Sequence, residues 1–184
     1  MISPDTRDTL LVMAVLFVAI LLTALRAYGD GDEDAAETAA AIQTLQPAHG
    51  DVEALRLAKL FNLAGEENHL DPLLLVAIAK RESNLDEFAV GPEPRFEIGL
   101  MQTHGVALNF RPGYCTKALE GAECQIYTGA AFLAYSRDRC GGSTWRWLGS
   151  YGSSQCMTEE WARAHKSTKN ARRFYDLIGG KQWP

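Results

Sequence analysis

Residues 79–102 read AKRESNLDEFAVGPEPRFEIGLMQ. The stretch opens at the end of an apolar run, crosses a segment rich in turn formers, and closes on Gly99-Leu100-Met101-Gln102. Just upstream, Asp71-Pro72 puts a capping carboxylate before a proline at the first helical position, so a helix is predicted from Pro72 to about Ser83. On that helix Leu75, Ile78, Ala79 and Glu82 share one face at i, i+3, i+4 and i+7. A carboxyl group therefore projects from the apolar side of the last turn. Burial disfavours its ionised form, and the negative end of the helix dipole acts the same way. Both effects suit a proton donor that works near neutrality. Taken by itself, the helix also allows an ordinary exposed Glu82 paired with Lys80, Arg81 or Arg139.

Around this stretch the chain divides into three parts. Residues 1–28 hold an apolar helix: no charge lies between Asp8 and Arg26, and Leu10 to Leu22 is apolar throughout. Its length is near the lower limit of roughly 17–25 residues for a membrane span, and also near a signal-peptide core. Leu25, Arg26 and Tyr28 around Ala27 make a poor small-x-small cleavage site, which favours a transmembrane anchor over a cleaved signal. Residues 29–50 are acidic and Ala-rich, without Lys or Arg, and are predicted to be a flexible linker with transient helix near Ala35 to Leu45. Residues 51–184 carry the remaining helical signals: about 52–62 with Asp51 as cap and Gly65 as stop, 123–138, 145–149, and 158–178 ended by Gly179-Gly180. Strand patterns are weak, and any hairpin falls between Phe88 and Ile98. The expected fold class is mainly α, a single domain following the N-terminal apolar helix.

The net charge of −5, with no basic run, argues against a nucleic-acid partner. Cys115, Cys124, Cys140 and Cys156 form no close CxxC pair, so no zinc or redox motif is present. An even cysteine count behind a membrane-targeting segment points to disulfides and to a domain outside the cytoplasm. Sequence allows three connectivities. The sequential pairing Cys115–Cys124 and Cys140–Cys156 closes the shortest loops and is the expectation; four free buried thiols are the alternative.

The order Glu82-Ser83, then Ala89-Val90-Gly91, then Gly99-Leu100-Met101-Gln102 resembles the active-site half of the lytic transglycosylase (SLT) and goose-type lysozyme superfamily. Trp147-Leu148-Gly149-Ser150-Tyr151-Gly152 resembles the family's Ala-Tyr-Asn-x-Gly region, with Gly152 where Asn is usual. Gly129 to Leu133 and, more vaguely, Asn170 to Tyr175 resemble its later helices, so the likeness runs from about Val52 to Tyr175. The resemblance implies a lysozyme-like SLT-type domain that cuts peptidoglycan glycan strands between N-acetylmuramic acid and N-acetylglucosamine, without metal or organic cofactor.

On that resemblance Glu82 is the catalytic acid and then the base, and the product carries a 1,6-anhydro ring. Ser83 would hold Glu82 or the sugar N-acetyl group, Gln102 and the Met101 backbone would contact that group, and Tyr151 would orient the acid. Plain packing competes for Ser83, Met101 and Tyr151. Glu97 is a candidate second carboxylate that would position a water, as in goose-type lysozymes; an ion pair with Arg95 or Arg111 is its other reading. The function classes are thus a membrane-tethered transglycosylase held by residues 9–25, a muramidase with the same residues, and a non-catalytic glycan-binding scaffold. The tethered enzyme would serve envelope remodelling, an envelope-spanning machinery, or phage lysis.

Overall fold

The computed structural model describes residues 13, 16, 17, 33–92, 97–103, 121–153 and 155–180, and these are almost entirely helical. Helix α1 covers residues 33–45. It is followed by α2 (Asp51–Asn68), α3 (Pro72–Ser83), α4 (Gly121–Cys140), α5 (Thr144–Ser153), α6 (Glu159–Ala164) and α7 (Lys166–Leu177). β-structure among the described residues is limited to the isolated antiparallel bridges Val90–Ile98 and Ile98–Thr103.

Helix α3 is the centre of the fold. Asp71 caps it by accepting from the Leu73 N–H at 2.8 Å, and Pro72 occupies its first turn. Leu74, Leu75, Val76, Ala77, Ile78 and Ala79 are all buried, so this helix is apolar all round and packed on all sides. It lies against α2 and α7, while α4 packs on α2 and α5. The Tyr175 hydroxyl of α7 donates to the second Asp71 oxygen at 2.5 Å, so one carboxylate both caps α3 and fixes α7.

Three sequence expectations are corrected. Gly65 does not stop α2, which runs on to Asn68 and ends with His69 in the left-handed region. Gly65 instead permits a close approach, since a Cβ there would lie 2.8 Å from the Leu70 carbonyl oxygen. The last helix is broken at His165, whose extended backbone ends α6 and begins α7. Over residues 33–45 the expected flexible linker is α1, and it buries Ala35, Thr38, Ala41, Ile42 and Leu45. The Thr38 hydroxyl donates to Asn62 Oδ1 on α2 at 2.8 Å, and Ile42 and Leu45 join the main core. Burial of Ile42 and Leu45, with the small Ala35, Thr38 and Ala41 letting α1 lie close to the domain, offsets the ordering entropy that composition alone suggested it could not meet.

Cys140 is bonded to Cys156, tying the end of α4 to the connection between α5 and α6. Cys124 is also disulfide-bonded, and its expected partner Cys115 lies outside the described residues. Of the apolar run 10–22, Met13, Leu16 and Phe17 are described, and all three are helical and exposed. Among the described residues no helix is long and apolar enough to cross a membrane.

Candidate active site

Glu82 sits in the last turn of α3 with 22% of its side chain exposed. The α3 residues below it are buried, so the carboxyl group emerges at the rim of the core. Beside it the Arg81 side chain is only 6% exposed, and its Nη2 contacts Glu82 Oε1. The two readings of the helix therefore meet in one residue, which lies on the apolar face and is also ion-paired. Burial pulls Arg81 down to about 10, opposed by the neighbouring Tyr151 and Glu97. Arg81 remains a cation at neutral pH. Its guanidinium carbon lies 6.0 Å from the centre of the Tyr151 ring.

After Ser83 the chain turns through two consecutive left-handed residues, Asn84 and Leu85. The Leu85 side chain is buried and its N–H donates to the Ala79 carbonyl at 3.3 Å, while its own carbonyl lies 3.0 Å from His49 Nε2. The turn then passes Glu87, whose carboxylate meets Arg56 of α2 at 2.6 Å.

The Gly99–Gln102 turn is held from several directions. Gly99 has a φ of +73° and its N–H donates to the Ala89 carbonyl at 2.8 Å. The Leu100 carbonyl accepts from the Ser83 hydroxyl at 2.9 Å, and the Met101 carbonyl accepts from the Tyr151 hydroxyl at 2.8 Å. Gln102 donates from Nε2 to the Gly99 and Ala89 carbonyls at 3.0 and 3.2 Å. The Met101 side chain is buried against α4, where a Cβ on Gly129 would come within 2.5 Å of Met101 Cβ. Burial pushes the Tyr151 phenol well above its ordinary range, so it stays a neutral donor.

The structure thus gathers Glu82, Ser83, Met101, Gln102 and Tyr151 around one turn. Within it the Ser83 and Tyr151 hydroxyls and the Gln102 amide hydrogens bind main-chain carbonyls. Glu97 precedes the turn by two residues, with its carbonyl accepting from the Gly91 N–H at 2.7 Å and its charge acting on Arg81. Arg95 and Arg111, its alternative ion-pair partners, lie outside the described residues.

Sequence reasoning missed Gln125. This α4 side chain is 3% exposed, accepts from the Leu100 N–H at 2.8 Å and donates to the Glu87 carbonyl at 3.0 Å. The available signal was a long amide inside the helical run Cys124-Gln125-Ile126, one turn before Gly129.

A family model described as Transglycosylase SLT domain matches residues 59–174. The chain is 36% identical over 107 residues to an X polypeptide of Escherichia coli, covering 55% of this chain and 63% of that protein. A second X polypeptide of Escherichia coli is 35% identical over 106 residues, 55% of this chain and 62% of its own. The X polypeptide of strain K12 is 36% identical over 104 residues, 54% of this chain and 61% of its own. The chain therefore spans less than two thirds of the length of these relatives. The family match covers more than half of this chain and takes in Glu82, the Gly99–Gln102 turn, Gln125 and Tyr151, so the chain belongs to the Transglycosylase SLT domain family.

Proposed function

We propose that this protein is a membrane-tethered lytic transglycosylase that cleaves the bond between N-acetylmuramic acid and N-acetylglucosamine in peptidoglycan. The observation that carries the reading is Glu82 at the rim of the core, on the helix that Ser83 ties to the Gly99–Gln102 turn. Protonated Glu82 gives its proton to the glycosidic oxygen as the bond from C1 to that oxygen breaks. The substrate's own N-acetyl oxygen supports C1 in the interval. The Glu82 carboxylate then removes the proton of the C6 hydroxyl, whose oxygen closes on C1 to form the 1,6-anhydro ring. The atoms balance without water.

Residues 9–25 serve as the anchor and place the domain outside the cytoplasm, where the Cys140–Cys156 disulfide persists. The enzyme would remodel the wall or open it for an envelope-spanning machinery. One observation favours a second reading, hydrolysis with water as acceptor. Glu97 acts on the same buried Arg81 that contacts Glu82, which brings a second carboxylate within electrostatic reach of the acid.

The test is digestion of purified peptidoglycan by the full chain in detergent, disulfides formed, beside Glu82→Gln, with products weighed by mass spectrometry. Fragments lighter by one water, lost about 100-fold or more in the variant, are expected. Reducing ends would establish the muramidase instead. Glycan binding without products from either protein would leave only a scaffold.

A further inference from the structure

Two stretches form the site described above: the turn after α3, residues 84–91, and the Gly99–Gln102 turn. They meet through the Gly99 N–H and Gln102 amide, both on the Ala89 carbonyl. We infer that Gln125, on α4 and outside both stretches, is the positioning residue that sets their register, and with it the seat of Glu82; this rests on the glycan-cleaving reading.

The chemistry demands an amide. The Leu100 N–H is a donor and the Glu87 carbonyl an acceptor, and Gln125 meets them with Oε1 and Nε2 at 2.8 and 3.0 Å. Both ends are satisfied, so the orientation of the amide is dictated by its partners. Methionine matches the length but offers neither strong donor nor strong acceptor. A carboxylate accepts but cannot donate. Asparagine is one methylene short.

The fit also explains Gly99. A Cβ there would lie 2.0–2.4 Å from the Gln125 amide atoms, so the glycine clears the space that the amide fills. Leu100 is then gripped at both ends, its N–H by Gln125 and its carbonyl by Ser83, the neighbour of Glu82. Glu87 is gripped twice as well, its carbonyl by Gln125 and its carboxylate by Arg56. A shift of Gln125 is transmitted through Leu100 and Ser83 to the acid, with no contact between Gln125 and substrate.

The experiment uses the full protein with Gln125→Met and Gln125→Glu, assayed on peptidoglycan across pH, with hydrogen exchange at the Leu100 amide as a second readout. Gln125→Met is expected to lower kcat by about tenfold or more while KM stays within about threefold. Its Leu100 amide should exchange at least about tenfold faster, because the protecting acceptor is gone. Gln125→Glu should match Gln125→Met at neutral pH and regain activity relative to wild type as pH falls, because the carboxylic acid again accepts and donates. Glu87 with Arg56 from α2, Glu123 on α4, and Arg81 with Glu82 and Glu97 are present in both proteins, so their titration divides out of the ratio.

An active wild type, with Gln125→Met at wild-type kcat and unchanged Leu100 exchange, overturns the inference and leaves the functional reading standing. If Gln125→Met does not fold, a Gln125→Glu activity ratio that is flat with pH overturns it. Wild type that cuts no peptidoglycan overturns both.

Discussion

Ser83 and Leu100, 17 residues apart in sequence, are joined by a 2.9 Å hydrogen bond from the serine hydroxyl to the leucine carbonyl. The bond fastens the end of the helix bearing Glu82 to the turn that follows. Leu100 is buried, so Ser83→Ala leaves its carbonyl short of a partner and should cost about 1 kcal/mol of stability, read as a lower urea midpoint. Peptidoglycan cleavage should fall by about tenfold, in kcat rather than KM, since the acid loses its fixed relation to the turn.

Arg81 supplies a covered positive charge to Glu82. Arg81→Gln removes the contact that holds the carboxylate in place and should lower kcat/KM for peptidoglycan cleavage by about tenfold. An unchanged kcat/KM would show that Arg81 does not act on Glu82.

Tyr175 donates to Asp71 at 2.5 Å, and burial, then Asp71 itself, raise its phenol above the ordinary value of 10.0. The folded state thus holds this proton more tightly than the unfolded chain does. Its contribution is complete below about pH 10 and is lost as pH rises through the folded-state value. Tyr175→Phe should show a shallower loss of stability as pH rises above about 10, followed by urea midpoints. Tyr151 is raised by burial in the same sense and persists in this variant, so part of the alkaline loss should remain.

Ile42 lies before the family-matched region and is fully buried in the main core. Ile42→Ala should destabilise the protein by about 2–4 kcal/mol in urea unfolding. A chain beginning at Asp51 would lose the Thr38–Asn62 bond and the His49 contact to Leu85 as well, and should fold less stably still.

Much of α3 was legible because its signals are local. Asp71 and Pro72 mark its start, the apolar run demands burial, and Glu82 falls on the buried face by spacing alone. Gln125 was not legible, since its partners Glu87 and Leu100 are 38 and 25 residues away and nothing in α4 announces them. The docking of α1 was not legible because alanine and acidic side chains look like solvated chain. The buried positions Ala35, Thr38, Ala41, Ile42 and Leu45 do follow a helical stripe, but only Ile42 and Leu45 at its end carry large apolar area. The Ser83 and Tyr151 hydroxyls hold main-chain carbonyls, a role that depends on how the Gly99–Gln102 turn is folded.

The docking of α1 shortens the leash. Under the proposed anchoring through residues 9–25, seven residues, 26–32, lie between the anchor and a helix fastened to the domain, and seven residues of any chain span no more than about 25 Å. A loose chain through residue 50 would let the domain roam over a far wider shell. Geometry would then act as a ruler: an enzyme so anchored would trim only the glycan layer nearest its membrane, however much wall lies beyond.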